Sequence, residues 1–286
     1  MEKIIKRLLV FFIGVPAVVF LILLLPYFKN LPFNIVVIIF SVMGAIEFSA
    51  ILEKKQMRVS KIEAAIFGAF APLAVTLTVC LDLPEWKQWI IPLFMMAGAS
   101  WVILSLAFTS SVKMDNVIGR LAGCFSVIIY PGLFMSWIIK ISTWEIPGAI
   151  LLFLLIIFAN DSAAWLTGSL LGANNKGIFA ASPNKSIAGY IGGLAGAVII
   201  SVSAALLAPS VFLGSISYVK IIILGIFTAV FGNLGDLAES AIKRSGDVKD
   251  SGNLMLGRGG ILDSIDSLAA AAPVYFMLFN VFFINS

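Results

Sequence analysis

Nine predominantly apolar stretches follow one another along this chain with only short polar gaps, at 8–27, 32–52, 62–81, 88–109, 119–139, 147–171, 187–208, 218–241 and 262–283. A helix of about 20 residues spans the ~30 Å hydrocarbon core of a bilayer, and each stretch has that length. The chain is 60% hydrophobic and 12% charged, lacks histidine and has a mean hydropathy of +1.07. These values exclude a soluble globular domain. The expected fold is all-α, a polytopic integral membrane protein of about nine transmembrane helices.

Charge placement orients the series. The first run follows Lys3, Lys6 and Arg7, but it is longer than a signal-peptide core and no small-residue cleavage motif follows it, so it reads as a span. With the N-terminus in the cytoplasm, fifteen of the 19 Lys and Arg residues fall on inside segments. They are Lys3, Lys6, Arg7, Lys54, Lys55, Arg58, Lys61, Lys113, Arg120, Lys176, Lys185, Lys243, Arg244, Lys249 and Arg258. Only Lys29, Lys87, Lys140 and Lys220 fall outside. The positive-inside bias therefore predicts a cytoplasmic N-terminus and accounts for the net charge of +4 without a nucleic-acid partner. Cys80 and Cys124 sit in or at the ends of apolar runs without metal or disulfide spacing, and read as packing residues.

No linker or internal repeat divides the chain, and one membrane unit is the economical reading. Residues 1–140 carry little polar chemistry. Glu47 is the exception, one to two turns from the basic run at 54–61, and snorkelling toward Lys54 or Lys55 is at least as good a reading as a functional one.

Polar chemistry concentrates in residues 141–286. Between Asn233 and Asp266 lie ten of the 34 charged side chains. Asp236, Glu239 and Lys243 share one helix face by their i, i+3, i+7 spacing, as do Asp263 and Asp266 at the next helix start. Carboxylates at the mouths of membrane helices call for a cation, and snorkelling helix ends are the plain alternative for any single one. Upstream, Asn160-Asp161-Ser162 interrupts an apolar helix, where a buried Asp must be protonated, paired or coordinated. Gly168 and Gly172 have the spacing of close helix packing. Lys185 stands at the next helix start, before Gly189, Gly192 and Gly193. That pattern suits either a phosphate at a helix N-terminus or tight packing in lipid.

The segment SAIKRSGDVKDSGNLMLGRGGILDSID, Ser240–Asp266, closely resembles the signature of the phosphatidate cytidylyltransferases, or CDP-diacylglycerol synthases. It places Ser240 before Lys243-Arg244, then Lys249-Asp250, the glycine pair Gly259-Gly260, and Asp263 and Asp266 three apart. Gly235-Asp236-Leu237 with Glu239, Asn160-Asp161 and Ser182-Pro183-Asn184-Lys185-Ser186 also look like family motifs. The motif-level resemblance covers roughly 155–275, and the first half resembles the family only in hydropathy. Two departures fall at the centre. The family's Pro-Gly-His-Gly-Gly is here Leu256-Gly257-Arg258-Gly259-Gly260, and its Asp-Arg-apolar-Asp is Asp263-Ser264-Ile265-Asp266.

The resemblance implies nucleotidyl transfer from CTP to phosphatidate, with Mg²⁺ or another divalent cation and room for a second ion. It makes 141–286 the catalytic region. It implies Asp236 and Asp263 as principal metal ligands and Asp266 and Asp161 as further ones, with Asp236, Asp263, Asp266 and Lys243 as the catalytic set. Lys243, Arg244, Lys249 and Arg258 would contact phosphates, joined by Ser182 and Lys185 from the neighbouring helix start. Arg258 would restore a positive charge where the histidine is missing, but cannot move a proton at neutral pH. The partners expected are CTP, phosphatidate and membrane lipids, with a homodimer as the candidate assembly, in the inner or plasma membrane of a bacterium with the site facing the cytoplasm. Three rivals share parts of this pattern: an inactive paralogue that binds lipid or nucleotide, a polyprenol or phytol kinase, and a transporter. The transporter is the weakest, because its charges belong near the midplane and in repeated halves.

Overall fold

The computed structural model describes residues 10–81, 89–108, 117–255, 257 and 259–285. Lys3, Lys6, Arg7, Lys87, Lys113, Leu256 and Arg258, on which parts of the topology and motif readings rest, lie outside the described residues. In chain order the helices are α1 (Val15–Leu24), α2 (Tyr27–Glu53), α3 (Lys61–Cys80), α4 (Ile90–Phe108), α5 (Val117–Val127), α6 (Phe134–Ser142), α7 (Pro147–Leu171), α8 (Ile187–Leu207), α9 (Tyr218–Ser245) and α10 (Leu262–Phe279). Among the described residues there is no strand, and the protein is an all-α polytopic membrane protein.

Seven segments are long and apolar enough to cross a bilayer: Tyr27–Glu53, Lys61–Cys80, Val117–Ser142, Pro147–Leu171, Ile187–Leu207, Tyr218–Ser245 and Leu262–Ile284. At the other two expected positions the described residues hold shorter apolar helices, Phe12–Leu24 and Pro92–Leu104. Ile191, Ile199 and Leu207 on α8 are exposed, as are Leu73 and Leu77 on α3. In a bilayer these side chains meet acyl chains rather than water.

The chain gathers into two compact units. One contains the described residues up to Glu145 together with Ile242–Ile265, and the other contains Ile146–Ala241 and the residues from Asp266 onward. One boundary falls just before α7 and the other two fall inside α9 and α10.

In the first unit, left-handed backbone at Phe28, Lys29 and Asn30 separates Pro26 from the regular part of α2. Helix α3 begins with a capping box: the Ser60 hydroxyl accepts from the Glu63 N–H (3.2 Å) and the Glu63 carboxylate accepts from the Ser60 N–H (3.0 Å). Glu63 is then paired with Arg120 of α5 at 2.7 Å. Helices α2 and α3 meet at Gly68, where an added Cβ would lie 2.6 Å from that of Ala45.

In the second unit, α7 starts on Pro147 and lies closely against α8. Added Cβ atoms at Gly189, Gly193 and Gly196 would approach the carbonyls of Ala164, Asn160 and Ala159 to 3.0 Å each. Without a hydrophobic drive between helices in lipid, such close backbone approach is what holds them together. The Tyr275 hydroxyl donates to the Ala149 carbonyl at 2.7 Å, tying α10 to the first turn of α7. Tyr275 also stacks with Phe279.

Candidate functional site

Within the second unit a cavity of about 410 Å³ opens among α7, the connection 172–186, the first turn of α8 and the middle of α9. From α7 come Asp161, Ala164, Trp165, Gly168 and Ser169, whose i, i+3, i+4, i+7, i+8 spacing marks one helix face. Helix α9 adds Asn233 and Asp236, three residues apart, and the connection adds Lys176 and Lys185. Three motifs separated in sequence are thereby brought to one place, including the predicted Asp161, Lys185 and Asp236. Lys185 Nζ is paired with Asp236 Oδ2, and Ser240 Oγ lies 3.5 Å from Asp236 Oδ1. With 34% of its side chain exposed, Asp236 remains open to a ligand.

Asp161 is not buried in α7; its neighbour Asn160 is. The carboxylate is exposed and faces the cavity, whereas Asn160 is 1% exposed. Asn160 Nδ2 donates to Asn233 Oδ1 (2.9 Å) and to Asp161 Oδ1 (3.1 Å), and Asn233 Nδ2 returns a bond to Asn160 Oδ1 (3.3 Å). The neutral amide thus goes inside, where a reciprocal partner satisfies it, and the charge goes to the cavity.

The start of α8 is closed to phosphate, and of the two uses its sequence pattern suits, only packing survives. The Ile187 N–H donates to the Asn175 carbonyl (3.1 Å), the Ala188 N–H to the Asn175 side chain (3.4 Å) and the Gly189 N–H to Ser186 Oγ (3.1 Å). The donors that an anion would need are taken, and the glycines serve packing. Ser182 accepts the Lys185 N–H in a turn at 3.1 Å and does not line the cavity.

The first unit holds the other acid of the motif. Asp263, in the first turn of α10, is paired through Oδ1 with Lys243 of α9. Its Oδ2 accepts from Gly260 N (2.6 Å) and Ser251 N (2.9 Å) and lies 3.0 Å from Ser251 Oγ. Only 8% of this side chain is exposed. The glycine pair has a physical reason here. Gly259 has φ +107°, and a Cβ on it would come within 2.5 Å of Asp263 Oδ2, while one on Gly260 would strike Ser251 Oγ. Asp266 is buried and accepts its neighbour's N–H, from Ser267, at 2.6 Å. Arg244 and Lys249 are exposed, with Arg244 bonded to the Val248 carbonyl at 3.4 Å.

Glu47 does not snorkel. It is 7% exposed, and its Oε2 accepts from Leu262 N (2.9 Å) and Ser251 Oγ (3.0 Å). Lys55, one of its expected cations, pairs instead with Asp247 at 3.2 Å.

A match to the family model of the cytidylyltransferase family extends over residues 5–282. The chain belongs to this family. Membership therefore covers the first half as well, which the motifs alone did not reach. A phosphatidate cytidylyltransferase of Bacillus subtilis (strain 168) is 35% identical over 183 residues, 63% of this chain and 66% of that protein. One of Staphylococcus aureus (strain COL) is 32% identical over 203 residues, 70% of this chain and 72% of the relative. The uncharacterized protein YnbB of Escherichia coli (strain K12) is 30% identical over 218 residues, 69% and 71% of the two chains. These alignments span about two thirds of the relatives' own length.

Among the described residues, no three His, Cys, Asp or Glu side chains group so as to hold a metal ion. Mg²⁺ at a nucleotide site is commonly held by one or two carboxylates together with substrate phosphates. Asp161 and Asp236, facing one cavity, form a donor set of that kind. Motif reading overlooked Trp165, Lys176, Tyr190 and Asn233 in this cavity. Trp165 was within reach, because it stands four residues after Asp161 on an expected helix.

Proposed function

We propose that this chain transfers the cytidylyl group of CTP to phosphatidate, releasing pyrophosphate and forming CDP-diacylglycerol for phospholipid synthesis. The observation that carries the reading is the cavity itself: in a cytidylyltransferase-family chain, Asp161 of α7, Asp236 of α9, and Lys176 and Lys185 of the connection 172–186 converge on one space. In the reaction a phosphatidate oxygen forms a bond to the α-phosphorus of CTP as the bond to the β-phosphate oxygen breaks. Both reactants are anions, so the protein's task is charge neutralisation and alignment. A phosphomonoester carries about −1.5 to −2 charge at pH 7. The nucleophile is therefore already anionic, and a chain without histidine needs no general base.

Asp161 and Asp236 would hold a divalent cation, Mg²⁺ in the simplest case, which when bound would offset the negative charge on the triphosphate and leaving group. Lys176 and Lys185 would bind phosphate oxygens, with Lys185 exchanging its bond to Asp236 for one to substrate. Asp263, whose Oδ1 faces Lys243, is the candidate ligand of a second ion, and Asp266, three residues on in the motif, is a further candidate. Lys243, Arg244, Lys249 and Arg258 are the further phosphate contacts of this proposal, and Ser182 supports Lys185. Trp165, 74% exposed beside exposed Leu166 and Leu170, gives the cavity rim the amphipathic character of a membrane interface. We place the site on the cytoplasmic side of a bacterial inner membrane, where CTP arrives from water and phosphatidate from the leaflet, in a homodimeric assembly.

The test is turnover by the purified full chain in detergent with CTP, phosphatidate and Mg²⁺. Equal release of pyrophosphate and CDP-diacylglycerol, lost on chelation and restored by Mg²⁺, supports the reading. Formation of CDP with a phosphorylated lipid alcohol would assign a kinase instead, and no turnover by folded protein would assign an inactive paralogue.

A further inference from the structure

Glu47 lies in α2, within a candidate membrane span and far in sequence from every motif acid, yet Ser251, Gly252, Gly260 and Leu262 all close on its carboxylate. A buried carboxylate is costly unless its oxygens are satisfied. Here Oε2 takes the Leu262 N–H, one of the orphan donors at the start of α10, together with the Ser251 hydroxyl. Among the described residues no group donates to Oε1, which is also buried. Ser251 Oγ stands 3.0 Å from Glu47 Oε2 and 3.0 Å from Asp263 Oδ2, and the Ser251 N–H donates to Asp263. The fit leaves no room for side chains. A Cβ on Gly252 would collide with the Glu47 carboxylate, and one on Gly260 would collide with Glu47 Oε2 and come within 2.7 Å of the Gly252 nitrogen.

From this geometry we infer that Glu47 is a positioning residue: it fixes Ser251 and the first turn of α10, and through them the Asp263 carboxylate that faces Lys243. A generic helix cap would need only the bond to Leu262. The bond to Ser251, shared onward with Asp263, ties α2 to the acid on which the cytidylyltransfer reading places chemistry, and the inference rests on that reading. What Glu47 supplies is an acceptor oxygen. A glutamine carbonyl oxygen can accept the same two bonds, whereas alanine can accept neither.

The test compares wild type, Glu47→Ala, Glu47→Gln and Ser251→Ala as full-length purified chains. It reads thermal unfolding, kcat, KM for CTP, and hydrogen exchange of residues 251–263. Misplacing a reacting group by about 1 Å lowers rate far more than binding, so Glu47→Ala is expected to lose about tenfold or more in kcat with KM for CTP within about threefold. Exchange in 251–263 should accelerate, Glu47→Gln should recover most of both effects, and Ser251→Ala should show a smaller loss of kcat. If Glu47→Ala does not unfold cooperatively, Ser251→Ala and Glu47→Gln decide the matter. Wild-type kcat in a folded Glu47→Ala or Ser251→Ala chain overturns the inference, and so does a Glu47→Gln chain as impaired as Glu47→Ala. A wild type without turnover refutes the proposed function instead. In that case exchange at 251–263, faster in Glu47→Ala but not in Glu47→Gln, still decides whether Glu47 holds the loop.

Discussion

Asp236 and Asp263 carry equal weight in the motif, and each meets a lysine, but their surroundings assign them different work. Asp236 has a lysine partner, a distant hydroxyl and a third of its surface open to a cavity. Asp263 is nearly enclosed, with both oxygens engaged by a lysine, two backbone N–H groups and a hydroxyl. One carboxylate is placed to receive something, and the other already organises the loop that precedes it. A lysine–aspartate pair is therefore informative only together with the remaining lone pairs of the acid.

The contrast is broken most directly by deleting each acid. In Asp236→Ala, turnover should fall by about 10²–10³-fold, the scale of losing one electrostatic contact to the transition state. Its unfolding should barely change, since partly exposed pairs contribute about 0–1 kcal/mol. Asp263→Ala should lose turnover and also about 3–5 kcal/mol of stability, because a largely enclosed ion pair is broken and two loop N–H groups lose this acceptor. Activity assays beside thermal melts of both variants read the difference. An Asp263→Ala chain as stable as Asp236→Ala would erase it.

Glycines sharpen the same comparison at smaller size. Gly260→Ala must push Ser251 or Glu47 aside and should cost about 1–3 kcal/mol, the usual range for overpacking. Gly177, in the connection beside the cavity, has φ +85° and nothing within 4 Å of an added Cβ. Gly177→Ala should therefore cost only the left-handed backbone strain of about 1–2 kcal/mol and leave KM for CTP unchanged. Equal losses in the two variants would mean that the loop around Asp263 is no tighter than the cavity edge.

Lys185→Ala comes next. Removing one charge-assisted phosphate contact should raise KM for CTP about tenfold, close to 1.4 kcal/mol, with little change in melting. Steady-state kinetics at fixed phosphatidate check this. An unchanged KM would show that Lys185 belongs to Asp236 rather than to substrate.

How much of this is readable from the sequence varies by kind of signal. Helix positions follow from apolar run length, because the bilayer imposes it. The gathering of Asp161, Lys185 and Asp236 follows from motif resemblance, and the periodicity of α7 could have added Trp165. Orientation within α7 could not be read, because an apolar helix gives no polar stripe to tell Asn160 from Asp161, one residue and about 100° apart. The state of the α8 N-terminus depends on Asn175, a loop side chain whose competition for backbone donors leaves no periodic trace. Glu47 escapes for a similar reason: its partners are a backbone N–H and a serine roughly two hundred residues onward, and neither is a charge that pattern reading would match to it.

The smallest effect expected is at the Asn160–Asn233 pair, and it tests whether the cavity wall is held by polar bonds or by packing. Each amide donates to the other between α7 and α9, and lipid offers no competing water, so the pair could be thought strong. Polar pairs between membrane helices nonetheless couple by only about 0.6 kcal/mol on average, because unfolded helices in the bilayer find other partners. A double-mutant cycle of Asn160→Ala and Asn233→Ala, read by unfolding in detergent or bicelles, should therefore give about 0.6 kcal/mol of coupling. Gly193→Ala, whose Cβ would come within 2.7 Å of Asn160 Oδ1, should exceed that by itself. If the coupling instead outweighed the glycine substitution, the open acid Asp236 would owe its position to the amide pair three residues before it, and the cavity would be as tightly organised as the loop around Asp263.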